Sequence, residues 1–128
     1  MRRGTIIIVP DRIVVTLSSD GTVWMTVEEI ASIFHVTATS VERRIAKLLA
    51  EGELDERKVR TKQNIIRSGK QYIVEYYNLN AIIALCFRIN TPPSKAFRRW
   101  IVKQVVQSLR TKPTAPIILQ IGSRIGWS

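Results

Sequence analysis

Residues Met25 to Leu54 read M-T-V-E-E-I-A-S-I-F-H-V-T-A-T-S-V-E-R-R-I-A-K-L-L-A-E-G-E-L, two helical patterns separated by a three-residue break. Thr26 followed three residues later by Glu29 forms a capping box, which satisfies two amide donors at a helix start and places the first helical residue at Val27. Ile30, Ala31 and Phe34 then share one face. His35, Val36 and Thr37 interrupt the pattern with poor helix formers. A second helix is expected from Ala38 or Thr39. Its apolar positions Val41, Ile45, Leu48 and Leu49 pack inward, turning Thr39, Ser40, Glu42, Arg43, Arg44 and Lys47 to solvent. Two short helices joined tightly, with the small Ala31 where the second crosses the first, describe a helix-turn-helix. Ile30, Phe34, Val36 and Val41 supply its apolar positions. Glycine is common where His35 stands, so the turn holds either a left-handed histidine or a different geometry. The plainer alternative is a pair of amphipathic helices with no DNA contact.

Upstream, Thr5–Val9 and Ile13–Leu17 are β-branched runs that read as strands, the first closed by Pro10 and Asp11. Ser18 to Gly21 offer a turn, and Thr22 to Trp24 suit a return strand, so a hairpin is expected before the helices. Trp24 is expected to anchor it to them. Downstream, Gly52 ends the second helix, and a polar connector follows. Val59–Ile66 and Gln71–Tyr76 then alternate around a Ser-Gly turn, a second hairpin placed like a wing, with Arg57, Lys58, Arg60, Lys62, Arg67 and Lys70 on it. Lysines and arginines there also suit a sheet edge protected against aggregation.

Asn78 or Asn80 caps a helix apolar nearly all round, through Leu79, Ile82, Ile83, Leu85, Cys86 and Phe87. Thr91, Pro92 and Pro93 stop it, and Ser94 is expected to cap another, from Lys95 to about Leu109. Phe97, Trp100, Ile101, Val105 and Leu109 would form its buried stripe, with Lys95, Arg99 and Lys103 stacked on another face. Prolines and glycines break every element after Lys112. The expected architecture is therefore α+β: one winged helix-turn-helix-like domain over residues 1–111, with two β-hairpins, additional carboxy-terminal helices, and an irregular tail over 112–128.

The chain has 128 residues, 45% of them apolar, which suits one folded domain. Twenty Lys and Arg against ten Asp and Glu give a net charge of +10 and favour polyanionic partners. No acidic residue follows Glu75, whereas Arg88, Lys95, Arg98, Arg99, Lys103, Arg110, Lys112 and Arg124 all do. The single cysteine, Cys86, excludes an intrachain disulfide and points to a reducing cytoplasm. The amino terminus is broken too early by Pro10 to be a secretory signal, and no apolar run approaches the length of a membrane span. No cofactor or metal site is expected: His35 is the only histidine, and Glu51, Glu53, Asp55 and Glu56 lie together in the connector without nitrogen or sulfur ligands.

The order of short motifs is informative. V-W-M-T (Val23–Thr26), the helix pair, E-G-E-L-D (Glu51–Asp55), G-K-Q-Y (Gly69–Tyr72), Y-Y-N-L-N-A-I-I-A-L (Tyr76–Leu85), F-R-I-N (Phe87–Asn90) and F-R-R-W (Phe97–Trp100) together resemble the RhuM family. This is a virulence-associated, mobile-element family with a looser similarity to phage antirepressor and KilA-N-type domains. Longer members carry a further carboxy-terminal region that the residues after Arg110 do not resemble, so the chain reads as a truncated member. The resemblance implies DNA binding without a defined enzymatic activity.

Two functions follow as expectations. In the first, the chain binds double-stranded DNA and regulates transcription of a mobile element or phage-derived locus. Thr37, Thr39, Ser40, Arg43, Arg44 and Lys47 would face the major groove, while Arg60, Lys62, Lys70, Lys95, Arg99 and Lys103 would hold phosphates. A homodimer would supply useful specificity. In the second, the fold captures a protein partner, as antirepressors do, without direct DNA contact. An enzyme is disfavoured, because neither His35 nor Cys86 stands in a catalytic constellation.

Overall fold

In the computed structural model, which describes residues 2–111, the chain is α+β, with two antiparallel two-stranded sheets and five helices among the described residues. Strands β1 (Thr5–Val9) and β2 (Arg12–Thr16) pair directly across Pro10 and Asp11, with Ile6 opposite Val15 and Ile8 opposite Ile13. This hairpin differs from the expected one. Thr22–Trp24 forms no strand, because its backbone is claimed elsewhere: Trp24 N–H donates to the Arg3 carbonyl (2.8 Å), and Met25 exchanges hydrogen bonds with Tyr77 (2.9 and 2.8 Å). Val23 and Met25, not Trp24, enter the core, and the half-exposed indole donates to Asp20 Oδ2 at 3.1 Å.

Helix α1 (Val27–Phe34) starts as its capping box requires: Glu29 N–H donates to Thr26 Oγ1 (3.1 Å) and Thr26 N–H to Glu29 Oε1 (2.9 Å). His35 ends it in the left-handed region (φ 57°). The turn is thus built on a left-handed histidine. Helix α2 (Ala38–Ala50) follows at once, capped by Thr37. Ile30, Ala31, Phe34 and Val41 are buried at the junction, joined by half-buried Val36. Beyond α2 the expected connector contains a single helical turn, α3 (Glu56–Val59), whose cap Asp55 accepts from Arg57 N–H at 3.1 Å. That turn delivers Val59 to the core.

Strands β3 (Arg60–Arg67) and β4 (Lys70–Tyr77) form the second hairpin in unbroken register, closed by Ser68 and Gly69, both with positive φ. Two left-handed residues give the turn whose twist matches its strands. Helix α4 (Leu79–Cys86), capped by Asn78, is the centre of the core through Ala81, Ile82, Leu85 and Cys86. Phe87 departs from expectation and is 51% exposed, since the helix ends there and Ile89 takes the buried place.

Helix α5 (Pro92–Arg110) begins earlier than Ser94. Thr91 caps it, its hydroxyl accepting from Ser94 N–H (3.4 Å) and donating to the Phe34 carbonyl (2.7 Å). Two prolines are tolerated in the first turn because its N–H groups have no helical acceptor. Ser94 is instead fully buried and donates to the Cys86 carbonyl at 2.7 Å. Phe97 packs tilted against Phe34 of α1 (centroids 5.8 Å apart, 52° between the rings), pinning α5 to α1, and stacks on Trp100 of its own helix (5.9 Å). The expected buried stripe stops at Ile101. Val105 and Leu109 are exposed, because the helix outruns the core. No helix among the described residues is long and apolar enough to cross a membrane. The expected tail, 112–128, lies outside the described residues.

Candidate nucleic-acid interface

Helix α2 has one face against α1 and α4 and the other open. Val41, Ile45 and Leu48 fill the inner face, so helical geometry turns Thr39, Arg43 and Lys47 outward in one stripe. All three are exposed, as are Ala46 and Ala50 beside them. Small residues flanking a cation leave room for a surface to approach it. Among the described residues, neither Arg43 nor Lys47 forms an ion pair.

The neighbouring polar residues are more committed. Thr37 is exposed, but its hydroxyl accepts from Ser40 N–H (3.1 Å) as the helix cap. Ser40 Oγ in turn accepts from Arg44 Nε at 3.2 Å. Arg44 is half-buried and also donates to the Arg88 carbonyl, so its guanidinium ties α2 to the end of α4. Arg88 reciprocates, pairing with Glu51 and Glu53 just past α2. Arg44 therefore holds the helix in place instead of extending from it.

One flank of α2 is acidic, a feature the sequence reading missed. Glu28 from α1, Glu42 from α2 and Glu75 from β4 line a groove with Thr26, Val27, Ile73 and Val74. Arg60 is spent on the same side: it pairs with Glu75 (3.2 Å) and with Glu56, and is half-buried. The Glu42 signal was present in the sequence, but its companions come from two distant elements. Lys62 and Lys70 remain exposed on the β3–β4 hairpin, with Lys62 opposite Glu75 and Lys70 opposite Arg67 at the turn.

The α5 cations belong to a different surface. Lys95, Arg99 and Lys103 are exposed, and Arg99 and Lys103 line a groove with Val9 to Ile13 of the first hairpin and with Trp100. No residue of α2 or of the β3–β4 hairpin lines that groove. Arg12 joins these cations there, although sequence spacing gave it no role. Arg98, next to them in sequence, turns inward and donates to the carbonyls of Cys86 (2.8 Å) and Ile89 (2.7 Å).

Elsewhere charge serves the fold. Arg3 makes two hydrogen bonds to Glu29 (2.6 and 3.0 Å) and lies over the Tyr76 ring at 5.0 Å, clamping the amino-terminal arm to α1 and β4. Burial pushes the Glu29 carboxyl up, but the Arg3 and Thr26 hydrogen bonds outweigh it and hold the group below its ordinary value. Burial raises the Cys86 thiol to about 12, against a smaller opposing pull from Arg98, so it stays protonated and unreactive at neutral pH. Among the described residues no group of three or more His, Cys, Asp or Glu is placed to hold a metal ion. Comparison of the chain with known protein families, with characterised proteins and with solved structures finds no match.

Proposed function

We propose that the chain is a double-stranded DNA-binding protein in which α1, the His35 turn and α2 act as a helix-turn-helix and the β3–β4 hairpin as its wing. The observation that carries this reading is the outward stripe of α2: Thr39, Arg43 and Lys47 exposed together, flanked by alanines and unpaired among the described residues. A helix so mounted fits a major groove, where Arg43 can reach a guanine edge bidentately and Lys47 and Thr39 can meet phosphates or bases. Arg44 and Arg60 contribute by positioning α2 and β3. The acidic groove of Glu28, Glu42 and Glu75 turns the duplex towards the Ser40–Lys47 side of the helix.

The net charge of +10 adds sequence-independent attraction. Together with the resemblance to the RhuM family, this leads us to place the protein in the cytoplasm as a transcription regulator of a mobile element or phage-derived locus. The alternative is capture of a protein partner, favoured by the exposed apolar residues Ile66 (73%) and Ile73 (68%) on the second hairpin. Binding of a labelled random-sequence duplex, followed by fluorescence anisotropy over a range of salt, separates the two. The DNA reading expects log K to fall linearly with log salt, with a slope reflecting several phosphates. Absence of binding at low salt refutes it.

A further inference from the structure

Helix α5 carries no carboxylate, and Lys95, Arg99 and Lys103 follow one another along it at four-residue intervals, about 6 Å of axis apart. All three are exposed, and none forms an ion pair among the described residues. Arg12, exposed at the start of β2, joins Arg99 and Lys103 from the other wall of their groove. Asp11, at the turn of the same hairpin, is the one carboxylate lining that groove among the described residues. Like charges one helical turn apart repel, so the row is unfavourable until an anion neutralises it.

We propose that this groove holds the phosphate backbone of a duplex DNA segment other than the one at α2, so that one chain bridges two segments. A row of cations at even rise suits a partner whose negative charge also repeats evenly, as a phosphodiester backbone does. The packing of the helices separates the two sites. Helices α1 and α4 each pack on both α2 and α5, and so lie between them. Phe97 meets Phe34 of α1, and Lys95 and Arg99, each two residues from Phe97, stand just over half a turn round the helix, on its reverse. On α2, Arg43 is two residues from both Val41 and Ile45 and stands likewise on the reverse of the packed face. The two rows therefore point away from a shared core on different sides. Duplex DNA is stiff over about 150 bp and does not fold round so small a domain without a large bending cost, so each row takes its own segment. The bridge rests on the DNA reading of α2; the α5 site does not.

The test uses beads that carry one duplex and a labelled second duplex free in solution, with the full chain added at low salt. The expected result is retention of the labelled duplex that rises and then falls with protein concentration, because excess chain coats each duplex separately. Arg12→Gln/Arg99→Gln/Lys103→Gln changes three exposed residues that form no ion pair among the described residues. This variant is expected to keep its melting curve and to bind one duplex in anisotropy, yet to retain at least about tenfold less of the second. Arg43→Ala/Lys47→Ala is expected to lose the bridge as well, while still binding one duplex through α5. A triple variant that bridges as the unmodified chain does, or an unmodified chain that binds duplex without ever retaining a second, overturns the proposal and leaves the α2 reading standing. One-duplex binding that the triple variant loses and Arg43→Ala/Lys47→Ala keeps in full overturns the α2 reading, and the bridge with it, leaving the α5 site alone.

Discussion

Arg44 and Arg88 hold the ends of each other's helices: the guanidinium of Arg44 donates to the Arg88 carbonyl, while the guanidinium of Arg88 pairs with Glu51 and Glu53 beyond α2. Two adjacent arginines on α2 consequently have different work. Arg44→Ala removes a half-buried charged donor and is expected to lower stability by about 1–2 kcal/mol. Arg43→Ala breaks no ion pair among the described residues and is expected to leave the melting curve unchanged. Urea unfolding of the two variants side by side checks this. Equal losses, or a larger loss for Arg43→Ala, would show that the tie between α2 and α4 is not as described.

The acidic flank makes a prediction in the opposite direction from most substitutions. Glu42 shares its groove with Glu28 and with Glu75, the last paired with Arg60, so on the DNA reading a duplex approaching α2 meets chiefly Glu28 and Glu42. Glu42→Gln is expected to tighten DNA binding roughly two- to fivefold at low salt, from a charge term of about 0.5–1 kcal/mol. The gain should vanish at high salt, as screening removes it. Titrations at the two ionic strengths decide it.

Gly4 tests the amino-terminal arm. Its φ is +70°, and a Cβ there would lie 2.5 Å from the Thr16 carbonyl oxygen and 3.0 Å from the Ser18 nitrogen. Both contacts are with backbone, so no side chain can give way. Gly4→Ala is expected to cost at least about 2–3 kcal/mol. The same change at Gly52, where a Cβ meets nothing within 4 Å, should cost only the strain of its positive φ, about 1 kcal/mol. Thermal melts of the two variants compare the costs.

The Arg3–Glu29 pair sets an acid limit. The folded-state value of Glu29 lies below its unfolded one, so the stability it contributes is present above the unfolded value and is lost as pH falls through the folded value. With both side chains more than a third exposed, the contribution is at most about 1 kcal/mol. Glu29→Gln keeps a capping side chain but not the charge. Its melting temperature should lie below that of the unmodified chain at pH 7, with the gap closing as pH falls below the ordinary glutamate range. A gap independent of pH would assign the effect to the cap alone.

What could be read from sequence was what depends on near neighbours. Thr26 with Glu29, the left-handed option at His35, Gly52, Asn78 and the Ser68–Gly69 turn each act within a few residues, and each stands where local chemistry puts it. The misplaced features depend on distant ones. Thr22–Trp24 looks like a strand, but its neighbourhood is set by Arg3 and by Tyr77. Ser94 is a good cap by type, yet Thr91 takes the position because the prolines fit the first turn and Ser94 has a buried carbonyl to serve. Val105 and Leu109 continue the periodicity of Phe97, and periodicity does not report where the core ends. For the candidate site, the outward stripe of α2 followed from Val41, Ile45 and Leu48. The loss of Arg44 did not, since its partner lies 44 residues away.

The central claim rests on Arg43 and Lys47. The most direct measurement is anisotropy of a labelled random-sequence duplex at several salt concentrations, comparing the unmodified chain with Arg43→Ala/Lys47→Ala. The account predicts salt-sensitive binding by the unmodified chain and, for the double variant, weaker binding with a log–log salt slope smaller by about 1, the share of a Lys47 phosphate contact, at unchanged stability. Binding that the double variant retains in full, with the same slope, would contradict it and take the DNA away from α2.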